Sequence, residues 1–408
     1  MYRCRFCQSG LSETFADLGM SPLSNSYISS GQLNGMERFY PIHAYVCSSC
    51  FLVQLAEFET PDKIFSDYAY FSSYADSWLK HCAAYAKEMI ARWNLGAGSL
   101  VLEVASNDGY LLQYFKQSGV PVLGIEPAAN VAKVAMEKGI PTEVAFFGEA
   151  KGAELAARGQ SADLIAANNV LAHVPDINDF VKGFKKALKQ GGRITVEFPH
   201  LLQMMRHNQF DTIYHEHFSY LSLGFVSGLF DKHGLRVFDV DEVPTHGGSL
   251  RVHGCHKEDP GKSTCAAVGA VLKQESDEGL SDLEAYRRFA RAVVRTKCEV
   301  LDFFVETRRA GKRVAGYGAP AKGNTLLNYC GIGREFIEFT VDRSPHKQGR
   351  FLPGTHIPIL APDAIAQFRP DYLFILPWNL RDEVVGQMTG IREWGGKFVV
   401  PIPKVEVF

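Results

Sequence analysis

Apolar and polar positions change period several times along the chain, and each change predicts an element. From Gly98 a short run rich in β-branched residues, Leu100-Val101-Leu102-Glu103-Val104, enters a turn of small and polar residues and passes into a helical pattern at Leu111-Leu112. Such a run fits a strand covered on both faces. A second run, Val122-Leu123-Gly124-Ile125, ends in Glu126, and further strands are expected over 162–167 and 192–198, each after a helical stretch. Strands alternating with helices predict a doubly wound α/β domain. Before it, a helical pattern begins near Asp76 and runs to Trp93. After it, the same grammar returns. Arg313-Val314-Ala315-Gly316-Tyr317 leads through a small-residue turn to a helix near Lys322. Phe339-Thr340-Val341 then ends in Asp342, and 371–377 reads as another strand. Two similarly wound sheets suggest a duplication.

The 408 residues suit two or three domains. Apolar residues at 46% and charged residues at 22% exclude disorder, collagen and coiled coil as overall descriptions. A net charge of −2 supplies no global field for nucleic acid or an anionic membrane, so a small partner is expected. No apolar run approaches the roughly 18 residues of a spanning helix, and the start does not read as a secretory leader. The expectation is a cytoplasmic monomer with no nucleic-acid or membrane partner.

Four of the nine cysteines form two close pairs, Cys4-x2-Cys7 and Cys47-x2-Cys50. In a reducing compartment this spacing predicts a structural Zn2+ held by four thiolates, a closed shell that staples a lobe and does no chemistry. Free thiols or a redox pair are the alternatives. The 39 residues between the pairs leave room for a strand pair. Cys82, Cys255, Cys265, Cys298 and Cys330 stand singly and are expected as small core residues.

The first strand-to-helix turn selects the ligand. A dinucleotide fold uses G-x-G-x-x-G, but the turn reads Glu103-x-Ala105-x-Asn107-x-Gly109, with an acid first and two glycines missing. That argues against a phosphate and disfavours a dehydrogenase. The turn resembles the first motif of class I methyltransferases. On that resemblance Glu103, Ala105, Asn107, Asp108 and Gly109 cradle the methionine part of S-adenosylmethionine. Glu126, followed by Pro127, takes the ribose hydroxyls, and Asn168 and Asn169 line the pocket. In the second sheet, Lys322 near a helix N-terminus suits an anion such as a nucleotide diphosphate. Structural support of the first sheet is the other reading.

Between the sheets, Asp211-Thr212-Ile213-Tyr214-His215-Glu216-His217-Phe218-Ser219-Tyr220 is the densest titratable cluster. The H-x-H spacing predicts His215 and His217 on one side of a strand. Histidine suits general acid–base work, with Glu216 or a tyrosine to orient it; an interdomain hydrogen-bond network is the plainer reading. His173 follows the fourth strand and is expected near the transferable methyl. The aromatic segment 67–74 can face a cleft or pack between lobes.

In order along nearly the whole chain, the paired cysteines, Val101–Gly109, Asn168–Val174, Tyr214–Phe218, Thr245–Arg251 and Gly316–Lys322 resemble the deoxysugar C-methyltransferase family. The resemblance implies a zinc-binding lobe over 1–72, a class I methyltransferase Rossmann-like domain over 73–256 and a C-terminal Rossmann-like sugar-nucleotide domain over 257–408. It implies methylation, through an enolate, of the carbon beside the C4 ketone of a TDP-linked 4-keto-deoxysugar, at C3 or at C5. It makes His217 the base, with Tyr214, Glu216, His173 and Tyr68 around it, and assigns His215, His246, Lys322 and Tyr317 to the substrate. Tyr68 is carried over by the character of its segment. Ala105 departs from the glycine frequent in the family and is expected to tighten the turn. The competing functions are an O- or N-methyltransferase and a non-catalytic zinc and nucleotide scaffold.

Overall fold

The computed structural model describes residues 2–58, 72–74 and 76–408. In the first lobe, β1 (Glu13–Ser21) pairs antiparallel with β2 (Tyr40–Val46), and β2 with β3 (Val53–Leu55), so the strand pair expected between the cysteine pairs is present. Alternate residues of β2, Ile42, Ala44 and Val46, face inward. Each cysteine pair sits in a tight turn closed by a left-handed residue, Gln8 after Cys7 and Phe51 after Cys50.

The central domain contains β4 (Val101–Val104), β5 (Val122–Ile125), β6 (Thr142–Glu143), β7 (Ala162–Asn168) and β8 (Leu188–Pro199), all parallel. Every residue of β4 and β5 is buried, as a strand covered on both faces requires. Next, β9 (Ser219–Tyr220) leaves this sheet and pairs with β3 in the first lobe. Then β10 (Leu235–Val243) and β11 (Ser249–His256) add antiparallel beside β8, giving the order β10-β11-β8-β7-β4-β5-β6.

The third sheet comprises β12 (Val314–Tyr317), β13 (Thr340–Val341), β14 (Ile359–Leu360), β15 (Tyr372–Ile375), β16 (Lys397–Val400) and β17 (Glu406–Val407), in the order β14-β13-β12-β15-β16-β17. Its parallel part winds as β6-β5-β4-β7-β8 does, and each sheet then gains an antiparallel strand. The similar winding read from the sequence is therefore real. In both sheets the order reverses beside the first strand, which opens a crevice at the strands' carboxyl ends.

Two helices fix the lobes on one another. Phe289 of the helix Leu283–Arg309 stacks on Phe15 of β1 at 4.5 Å, while Phe304 of the same helix lies 5.0 Å from Phe374 of β15. Glu275, from the helix Ala266–Asp277, accepts the Leu223 and Gly224 amides at 2.6 and 2.8 Å and bonds His200 at 2.7 Å. The aromatic contacts belong to one apolar core shared by the first lobe, segment 201–220 and the third sheet.

Two expectations are corrected. Residues 213–218 form a turn and not a strand, closed by the His217 amide donating to the Tyr214 carbonyl at 2.9 Å. Cys265 and Cys298 are exposed, whereas Cys82, Cys255 and Cys330 are buried. Among the described residues no helix is long and apolar enough to cross a membrane.

Candidate active site and metal centre

Cys4, Cys7, Cys47 and Cys50 bring their four Sγ atoms within 4.8 Å of one another. Cys4 lies 3.6 Å from Cys50, and Cys7 lies 3.5 Å from Cys47. A tetrahedral zinc site with Zn–S bonds of about 2.3 Å has edges of about 3.8 Å, so the thiolate cage fits that ion. Gln54 donates to Cys4 Sγ at 3.2 Å. Arg5, inside the first knuckle, donates to the carbonyls of Pro175 and Leu55 at 2.8 and 2.5 Å, which ties the cage to the central domain.

The turn after β4 folds through left-handed residues Ala105 (φ 58°), Asn107 (φ 49°) and Gly109 (φ 76°). A Cβ at Gly109 would lie 2.9 Å from Ile140, so glycine is required there. Glu126 accepts the Asn107 amide at 2.9 Å and the Ala128 amide at 2.8 Å, which leaves each carboxylate oxygen a further lone pair. Burial nevertheless pushes the Glu126 pKa up. Pro127 spaces Glu126 from Ala128 and is half-buried. Around this turn several buried polar atoms lack a hydrogen-bond partner among the described residues, namely Asp108 Oδ1, both Asn168 amide atoms and Asn169 Oδ1, while the Glu103 carboxylate bonds Tyr110. Burial drives the Glu103 pKa well above the usual carboxylate range. Unmet donors and acceptors at the crevice fit a ligand with an amino acid head, a ribose and a base. S-adenosylmethionine has those parts.

His217 lies beside this cleft. The Phe218 amide donates to the Ala172 carbonyl at 2.8 Å, which draws the turn onto residues 171–173. The His217 ring lies 4.7 Å from His173 edge-on and 4.1 Å from Tyr214. Its Nδ1 stands 2.9 Å from the Thr212 carbonyl. A carbonyl only accepts, so Nδ1 carries the hydrogen and Nε2 of the neutral ring carries the lone pair. Burial, then His173, His246 and Lys322, hold the His217 pKa well below its ordinary value. His173 is pushed down to about 4, chiefly by burial.

Comparison with known proteins agrees with this geometry. Residues 4–65 match the family model described as "Putative zinc binding domain", residues 75–240 the model "Methyltransferase domain" and residues 244–403 the model "C-methyltransferase C-terminal domain". The C-methyltransferase NovU of Streptomyces niveus is 37% identical over 99% of this chain and 96% of its own length. The chain belongs to the C-methyltransferase family. An uncharacterized methyltransferase of Mycobacterium leprae is 28% identical over 25% of this chain and 37% of its own length. The Synechocystis magnesium protoporphyrin IX methyltransferase structure with bound SAM shares 15% identity, covers 43% of this chain and 78% of its own, and has a TM-score of 0.33, too low to carry an argument.

This S-adenosylmethionine-dependent C-methyltransferase does not gather every residue singled out from its sequence. Glu216 turns away from the His217 ring; its Oε1 accepts from Asn25 at 2.6 Å, and burial raises its pKa to about 7. The group that orients His217 is the Thr212 carbonyl. His215 packs against Tyr40 and Phe58 of the first lobe at 5.7 and 6.3 Å, away from the His217 ring, because the turn sends the two histidines in different directions. Tyr317 faces the other side of the third sheet. There it donates to Gln387 at 2.5 Å and lines a cavity of about 550 Å³ with Arg343 and Trp394. Tyr68 lies outside the described residues. His246 and Lys322 meet at Trp378: Lys322 Nζ lies 4.4 Å from its ring centroid, and a Cβ at Gly247, next to His246, would lie 2.9 Å from its Cη2.

Sequence reading missed two constellations of this C-methyltransferase. At the end of β8, the fully buried Glu197 bonds His81 at 3.0 Å, Thr245 at 3.1 Å and Arg251 at 3.1 Å. Burial pulls its pKa up, but His81 and Arg251 outweigh that and hold it ionised. An acid inside the apolar run Ile194–Phe198 was the available signal. The second is Asp211, buried beside the turn, whose Oδ2 accepts from Trp378 Nε1 of the third sheet at 2.8 Å. Nothing local in the sequence joins those two.

Proposed function

We propose that this C-methyltransferase methylates the carbon beside the C4 ketone of a TDP-linked 4-keto-deoxysugar, at C3, with C5 the alternative carbon. The division into lobes over 1–72, 73–256 and 257–408 belongs to the same reading, with the sugar held between the second and third. The observation that carries it is the His217 tautomer. A desolvated imidazole with Nδ1 tied to a carbonyl presents Nε2 as a fixed base next to the cofactor crevice, which carbon methylation needs and transfer to a ready nucleophile does not. His217 takes the α-proton. Tyr214 and His173 wall its ring, and His246 borders the same cleft. Glu103, Asp108, Asn168 and Asn169 would hold S-adenosylmethionine by its polar groups, with Glu126 on the ribose. When bound, that cofactor supplies an electrophilic methyl group. The four cysteines would hold Zn2+ as a staple.

The test is mass spectrometry of a TDP-4-keto-2,6-dideoxyhexose incubated in D2O with and without S-adenosylmethionine. The expected outcome is deuterium gain without cofactor and one added methyl on carbon with it. Methyl transfer to oxygen or nitrogen without deuterium exchange would replace this reading with the O- or N-methyltransferase one.

A further inference from the structure

An enolate forms only if negative charge on the ketone oxygen is stabilised while the proton leaves, because histidine is a weak base for a carbon acid. Resting on the proposed function, we propose that the Lys322 ammonium, presented by the third sheet, faces the ketone oxygen and holds the charge that develops there.

The turn after β12 lies tightly on the end of β15: a Cβ at Gly318 would come within 2.5 Å of Pro377, and one at Gly323 within 2.8 Å of Leu376. That approach sets Lys322 over the indole of Trp378, with Nζ 4.4 Å from the ring centroid and 2.6 Å from Asn379 Oδ1. The indole touches both walls of the cleft. Its Nε1 bonds Asp211, the neighbour of the Thr212 carbonyl that fixes His217. Its far edge meets the loop of His246, where a Cβ at Gly247 would lie 2.9 Å from Trp378 Cη2. Lys322 thus stands on the post shared by both histidine-bearing segments.

Its other contacts leave the ammonium available. Asn379 takes one of three donors, and among the described residues no carboxylate pairs with Nζ within 4.0 Å. Burial lowers the Lys322 pKa, and Asp211 at longer range opposes that. A diphosphate would call for several cations. The next lysine along the chain, Lys347, is already bonded to the Ala319 carbonyl at 2.9 Å and paired with Asp342 at 3.6 Å. A single half-buried cation suits a charge that appears only in the transition state.

In the step, the α C–H bond breaks and its proton goes to His217 Nε2. The released pair forms the C=C bond, and the carbonyl π pair moves onto the oxygen facing Lys322. When the carbon takes the methyl group, the C=C pair forms the new bond, the sulfur keeps the pair of the broken S–CH3 bond, and the oxygen charge returns to the ketone.

The experiment uses the full zinc-loaded chain with Lys322→Met and Lys322→Ala, a TDP-4-keto-2,6-dideoxyhexose in D2O, and no S-adenosylmethionine. At saturating sugar the exchange rate should fall about 100-fold in both variants. S-adenosylmethionine affinity should stay within about twofold, and added ethylamine should restore part of the Lys322→Ala rate. An unchanged saturating rate with only a raised KM would overturn the proposal in favour of an anion anchor. Absence of exchange in the unmodified enzyme would instead remove the proposed function itself. If these variants lose cofactor affinity through misfolding, Lys322→Gln, which keeps a polar end that can bond Asn379, carries the same readouts.

Discussion

His217 and Glu216 are adjacent, and burial pushes their protonation in opposite directions: the histidine stays neutral, and the acid keeps its proton up to about pH 7. A neutral imidazole with its lone pair on Nε2 is ready to accept a proton, so His217→Asn should cut deuterium exchange at least about 100-fold. S-adenosylmethionine affinity, measured by calorimetry, should stay within about twofold; normal turnover would remove His217 from the role. Glu216 binds its proton more tightly in the folded chain, at about 7, than the ordinary carboxylate value of 4.5. Its contribution to stability is full below the unfolded value and is lost as pH rises through 7, by about 3 kcal/mol in all. Glu216→Gln stays neutral and can still accept from Asn25. It should match the parent nearly at pH 5 and exceed it by up to about 3 kcal/mol at pH 8 in denaturant unfolding. An equal difference at both pH values would refute the raised pKa. His217 was legible as a candidate because a titratable cluster is a local feature. The group that orients it was not, because Glu216 points to Asn25, 191 positions away.

Strands, turns and cysteine pairs followed the sequence closely. The run after Gly98 became a fully buried strand, Glu126 closed the second one, and the helix from Asp76 ended at Trp93 as read. Ala105 adopts φ 58°, a conformation that favours glycine. H-x-H failed as a strand signal because period-two alternation over three residues is also met by a turn. Here the Phe218 amide bonds the Ala172 carbonyl, and β9 starts only at Ser219. That short strand couples the metal to the chemistry, since β9 pairs with β3, which follows directly on the second cysteine pair. Removing zinc by chelation or Cys47→Ser should lower the melting temperature by at least about 5 °C. It should also slow deuterium exchange while S-adenosylmethionine affinity is kept. A zinc-free chain, verified by metal analysis, with unaltered melting and exchange would sink the staple.

Across the molecule, the third sheet closes the site and is not an appendage. Trp378 spans the cleft to Asp211, whose carboxyl is raised to about pH 6 by burial despite Lys322 and the indole bond. Trp378→Phe keeps an aromatic ring but deletes that bond, so it should cost about 1–3 kcal/mol of stability. Sugar turnover should fall with cofactor affinity unchanged, as read by calorimetry beside a turnover assay; full turnover would detach the third sheet from the chemistry. Periodicity, turn composition and cysteine spacing are short-range properties, which is why two doubly wound sheets, a four-thiolate cage and a titratable cluster were legible from residues alone. Partners such as Asp211 and Trp378 stand 167 positions apart. Their meeting depends on how the helix Leu283–Arg309 seats the third sheet against the first lobe. Burial and hydrogen-bond direction, which set every shifted pKa in the cleft, exist only once those distant surfaces have closed on one another.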